Sequence, residues 1–111
     1  MKKEHIGNVR GNEYIPVSIR ISMEEAPYWG RILAISPDEL ELLSKFEFKK
    51  GRTLSVGFEL DKEKLEDIRG AVTAILREPS GYFQYFIKLS DHNQQKNLLN
   101  KLLNLTRGQY I

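Results

Sequence analysis

The chain has 111 residues, 41% of them hydrophobic and 29% charged, the make-up of one globular domain with a single core. A net charge of +2 is too small for a dedicated nucleic-acid or membrane surface, and the absence of cysteine excludes disulfides, thiolate metal sites and cysteine nucleophiles. No run approaches the ~20 apolar residues of a membrane span, and Met1-Lys2-Lys3 has no apolar stretch behind it to act as a secretory signal, so the expected compartment is the cytoplasm.

Residues 1–13 are polar and glycine-containing and read as a flexible arm ahead of a single domain over 14–106. The period then becomes two: Ile15, Val17, Ile19 and Ile21 alternate with Pro16, Ser18 and Arg20, a strand with one buried face. Pro16 has no N–H to give a ladder, which places it at an edge or at the strand's start. Met23 to Tyr28 is a connection. Strands follow at 29–35 and 39–43, joined by the tight-turn signal Ser36-Pro37-Asp38. Lys49-Lys50-Gly51-Arg52 is another turn. Leu54, Val56, Phe58 and Leu60 then share one strand face, and Asp61 to Asp67 reads as a loop or a single helical turn.

Ile68–Arg77 and Tyr82–Leu89 form a hairpin around Glu78-Pro79-Ser80-Gly81, with Phe83, Tyr85, Ile87 and Leu89 inward. In the last segment Ser90 is the expected N-cap with Asp91 in the first turn. Leu98, Leu102 and Leu105, flanked by Leu99 and Leu103, make a stripe at helical spacing that ends at Thr106-Arg107-Gly108. Six strands followed by one helix give an all-β domain with a C-terminal helix. A closed or nearly closed six-stranded antiparallel β-barrel is the economical arrangement.

Arg10-Gly11-Asn12-Glu13-Tyr14 stands directly before Ile15-Pro16-Val17, and Ala34-Ile35-Ser36-Pro37-Asp38-Glu39 ends the second strand. Together with Gly51 ahead of Thr53-Leu54-Ser55-Val56, and Phe86-Ile87-Lys88-Leu89 leading into a capped helix, these segments resemble the PilZ domain family. Members of that family are bacterial modules best known as receptors for cyclic di-GMP. The family opens with Arg-x-x-x-Arg before an apolar-Pro-Val strand and carries Asp/Asn-x-Ser-x-x-Gly at the end of the next. The resemblance covers about residues 10 to 105 and implies that Arg10 and Ser36 retain ligand-binding positions while Tyr14, Ala34 and Glu39 replace them.

The replacements bear on affinity. A guanidinium is planar, charged and bidentate to guanine edges and phosphates, which Arg10 keeps and the phenol of Tyr14 does not offer. Ala34 has no polar atom to read guanine, and Glu39 sets a carboxylate where the family has no side chain, facing an anionic ligand. Two lost bidentate contacts cost about 2–6 kcal/mol, against about −8 kcal/mol for a micromolar binder. Cyclic di-GMP is therefore disfavoured as a ligand, and no other cofactor is expected. The alternative is a receptor that uses Arg10 and Ser36 with non-standard contacts.

Three further segments were weighed against plain packing. Lys45 to Arg52 interleaves cations and phenylalanines as single-strand nucleic-acid platforms do, but Glu47 and the low net charge favour a strand edge with core phenylalanines. Tyr82 and Phe86 point outward, as a partner surface or under the helix, with cover by the helix the favoured reading. Tyr28-Trp29 suits a binding hot spot, yet a lone tryptophan in a small domain more often packs in the core or at its rim. His5 and His92 have no acid or nucleophile at useful spacing, so neither catalysis nor a metal site is expected. The expected role is a signalling or adaptor module in bacterial motility, pilus or surface behaviour that binds an unidentified bacterial protein. Neither nucleic-acid binding nor membrane insertion is expected, and homodimerisation is left open.

Overall fold

The computed structural model describes residues 15–60 and 62–109, with side chains described as far as residue 104. Its elements are β1 (Pro16–Arg20), β2 (Tyr28–Ile35), β3 (Glu39–Ser44), β4 (Thr53–Leu60), β5 (Glu63–Arg77), β6 (Phe83–Leu89) and α1 (His92–Gln109). All strand pairs are antiparallel, and they close into a barrel in the order β1-β2-β3-β6-β5-β4. The alternating apolar residues supply its filling: Val17 and Ile19, Leu40 and Leu42, Leu54, Val56 and Phe58, and Tyr85, Ile87 and Leu89 are all buried. Closure removes most of the strand edges on which a partner could add a strand. Pro16 sits at the start of β1, where its missing N–H costs no ladder bond.

The stretch expected as a loop or helical turn is instead the beginning of the longest strand. β5 starts at Glu63, directly after a turn in which Lys62 takes φ 67°. Its first residues are charged because they face water, and only Leu65 turns inward, opposite Phe58. A bulge then inserts a residue, with Glu66 and Asp67 standing where β4 has Gly57. The inward spacing Leu65 to Ile68 is therefore three, which imitates a helix in the sequence. Asp67 adopts φ 53° in the bulge, and its carboxylate accepts the Ser55 hydroxyl at 2.9 Å. Similar bulges fall between Ile32 and Ala34 in β2 and between Val72 and Ala74 in β5.

Among the described side chains, the helix docks through two leucines and two amides, the Gln95 Nε2 donating to the Leu89 carbonyl of β6 at 2.8 Å. Leu98 and Leu102 join the barrel's core cluster. Gln94 bonds β5 on either side of Ile68, its Nε2 donating to the carbonyl of the bulge residue Asp67 at 2.6 Å and its Oε1 accepting the Arg69 N–H at 3.0 Å. The amide thus occupies the hydrogen-bonding place of a missing strand residue. Lys101 pairs with Glu63 farther along. The Gln94 and Lys101 ties run to the first half of β5, and Phe86, expected under the helix, lies half-buried between Glu41 of β3 and Ala74 of β5.

Two helix boundaries differ from expectation. Asp91, not Ser90, is the cap: its Oδ1 accepts the N–H groups of Asn93 at 2.8 Å and Gln94 at 3.1 Å. A carboxylate bonded to two orphan donors at the positive end of the helix is the stronger arrangement. At the other end the helix continues through Thr106, Arg107 and Gly108 to Gln109. Asp91→Ala should lower stability by about 1 kcal/mol, read from urea unfolding, whereas Ser90→Ala should change it by less than about 0.5 kcal/mol.

The segment 45–52 is a loop, not a strand edge, since β3 ends at Ser44. It folds back so that Phe48 plugs the mouth of the barrel against Tyr85, at 5.3 Å between ring centres, and Tyr28, at 5.5 Å. Tyr85 locks it there. Its buried hydroxyl donates to the Phe46 carbonyl at 2.7 Å and accepts the Phe48 N–H at 2.8 Å.

Candidate functional site

The second signature segment, Ala34 to Glu39, lies at the end of β2. The Ile32 N–H donates to the Ile15 carbonyl at 2.9 Å, so the chain entering β1 abuts the last turn of β2 before Ala34. Arg10, Tyr14 and the arm of residues 1–13 lie outside the described residues. Ser36 is fully buried and belongs to the turn itself. Its N–H donates to the Glu39 carbonyl at 2.9 Å, and its hydroxyl has that same carbonyl at 3.0 Å and Asp38 Oδ1 at 3.2 Å as acceptors. The Asp38 carbonyl in turn accepts the Leu89 N–H at 2.8 Å, fastening the turn to β6. Ala34 faces outward opposite Glu41, and Glu39 stands opposite Lys88.

The other end of β2 carries a different surface. Tyr28 turns inward onto Phe46 and Phe48, and the pleat then sends Trp29 outward with Arg31. Trp29 is 59% exposed, so the sole tryptophan of the chain is not a core or rim packer. The cross-strand register sets Arg31 beside Leu43, Leu43 beside Gln84, and Gln84 beside Leu76, one row across the outer face. Over that row lies a cleft of about 540 Å³ with Trp29 and Phe46 on one side and Tyr82, Glu78 and Ser80 on the other. Phe46 is 47% exposed, although Phe48 two residues on is core. A smaller cleft of about 270 Å³ lies on the other flank of Trp29, over Ser18 and Gly57.

Two cations, Lys45 and Arg31, line the larger cleft, and Lys45 is the more exposed. Its Nζ lies 5.3 Å from the centre of the Tyr82 ring, within cation–π range. Arg77, beside the hairpin turn, stacks over Phe83 at 5.3 Å and reaches Glu47 at 3.8 Å; both partners are exposed, and the pair adds little energy. Chemically, this is a concave, aromatic-walled surface with two cations, Lys45 and Arg31, and one carboxylate, Glu78, in its lining. Among the described residues no three His, Asp or Glu side chains gather as a metal site, and no helix is long and apolar enough to cross a membrane.

Sequence reading had singled out Trp29, Lys45, Phe46 and Tyr82, but in three separate segments and each beside a packing explanation. What joins them is the register of β2, β3 and β6, which no local pattern contains.

No family model matches the chain, and no curated protein matches it in sequence. Solved structures do. The inhibitor of motility MotI/DgrA of Bacillus subtilis superposes with a TM-score of 0.68 at 17% identity, over 100% of this chain and 55% of its own. MrkH of K. pneumonia in its apo state gives 0.62 at 15% identity, over 97% of this chain and 55% of its own. A second crystal form of MrkH gives 0.62 at 15%, over 97% and 53%. The chain spans about half the length of these structures, and the six-stranded antiparallel barrel with its C-terminal helix is of PilZ type.

Proposed function

We propose that the chain is a non-catalytic signalling module of PilZ type that works by docking a bacterial protein, in the cytoplasm and in the service of motility, pilus or surface behaviour, without binding cyclic di-GMP. The observation that carries this reading is the contrast between the two ends of β2. At the signature end, the retained Ser36 is buried and its hydroxyl is engaged within its own turn. Ala34 adds no polar group there. At the opposite end, Trp29 and Phe46 stand exposed around a cleft. Exposed aromatics clustered in a concavity are the usual anchors of protein recognition. The likeness to an inhibitor of motility supports the behavioural part of the proposal.

A second reading keeps cyclic di-GMP as ligand through Arg10 and Ser36, and the bond from the Ile32 N–H to the Ile15 carbonyl favours it by tying the start of β1 to β2 two residues before Ala34. Calorimetric titration separates the two. The docking reading expects no heat with cyclic di-GMP on the order of tens of micromolar, and a dissociation constant below about 10 μM would overturn it. If the ligand does bind, Ser36→Ala should weaken it about ten-fold, because one hydrogen bond to a charged group is worth about 1.5 kcal/mol.

A further inference from the structure

Resting on the protein-docking reading, we propose that the cleft over Arg31 and Leu43 takes an extended peptide segment of the partner in which an aromatic or large apolar side chain stands next to an aspartate or glutamate. Three observations define that occupant. Trp29, Phe46 and Tyr82 wall a space of about 540 Å³, enough for one large apolar side chain with its neighbouring backbone. Lys45 lines the same space with Arg31, its Nζ 5.3 Å from the Tyr82 ring, where a carboxylate beside the buried side chain would meet it. The loop that makes this wall carries Lys45, Lys49, Lys50 and Arg52, all exposed, against Glu47 alone, so the local field attracts an acidic segment more strongly than the chain's overall charge of +2 suggests.

The opposite wall selects among anions. Glu78 and Ser80 line it. A peptide brings one carboxylate to Lys45 and neutral N–H groups to Glu78, which accepts them. A nucleic-acid strand brings a phosphate with every nucleotide, and one of them would press on Glu78. The same stacking walls that suit a base therefore favour a peptide.

A random peptide library displayed on phage, selected on the full chain, tests this directly. The enriched sequences are remade as fluorescein-labelled peptides and their binding read by anisotropy. The expected peptides place Phe, Trp, Tyr or Leu beside Asp or Glu. Their binding should weaken about ten-fold or more with Trp29→Ala and with Lys45→Glu, and should fall as salt rises. Both side chains are exposed, and circular dichroism will verify that each variant is folded. Enrichment of basic or neutral peptides, affinities indifferent to both substitutions, or no enrichment at all would overturn the proposal. So would tighter binding of a labelled oligo-dT than of any selected peptide. Peptides that bind but ignore Trp29 and Lys45 would dismiss the cleft while leaving protein docking in place. The cyclic di-GMP titration judges protein docking independently.

Discussion

Leu102→Ala should destabilise the domain by about 2–5 kcal/mol, seen as a lower urea midpoint with little change in slope. Among the described side chains of α1, Leu102 and Leu98 enter the barrel's core, and the described remainder is mostly polar and at least partly exposed. A polar helix of this kind has little stability of its own, so its docking depends on the few apolar side chains it buries. Truncating such an anchor removes the transfer energy of the side chain and leaves a cavity between helix and sheet. Against a total of about 5–15 kcal/mol for an ordinary domain, the loss is a large fraction. Leu103, one position on and 37% exposed, is the control: Leu103→Ala should cost less than about 1 kcal/mol. Equal costs for the two would mean that the helix does not dock by the face described. Because Gln94 ties the same helix to the β5 bulge, the Leu102→Ala protein should also lose part of its helical circular dichroism before the barrel melts.

The barrel was legible where a strand keeps a strict period of two over a core. β4, with Leu54, Val56 and Phe58 inward, and β6, with Tyr85, Ile87 and Leu89, came out as read. It was illegible where a bulge breaks the period. Leu65 and Ile68 are three apart because Glu66 and Asp67 share one place in the ladder, and the charged flank completes the disguise. The cap was missed by one residue because Ser90 and Asp91 are both good caps, and only the geometry of Asn93 and Gln94 chooses between them. At the site, the alternation Tyr28 in, Trp29 out, Arg31 out was already present in the strand's pattern. A lone tryptophan's usual preference for packing points the other way from that alternation. The pairing of Lys45 with Tyr82 was out of reach, because it depends on β3 lying beside β6 rather than beside β4, the strand that follows it in sequence.

Tyr85→Phe should cost about 1–3 kcal/mol although it removes a single oxygen from a fully buried ring. That oxygen serves two backbone groups of the 45–52 loop, accepting from Phe48 and donating to Phe46. Phenylalanine would keep the packing against Phe48 and Phe83 but leave an N–H and a carbonyl without their partner at the mouth of the barrel. The damage should also reach the cleft, since Phe46 forms one of its walls and its backbone is what Tyr85 holds. Alkaline titration gives a second signature. Burial raises the Tyr85 phenol above its ordinary value of 10.0; the Phe48 N–H bond opposes that rise, and the nearby Glu47 carboxylate adds to it. A group whose pKa is higher folded than unfolded contributes stability that is fully present below the unfolded value and is lost as pH climbs through the folded one. Wild type should therefore lose stability above about pH 10 more steeply than Tyr85→Phe, and the gap between them should narrow there. Urea unfolding of both proteins from pH 7 to pH 11 measures it. A gap that stays constant across that range would mean that the hydroxyl is not buried against the loop.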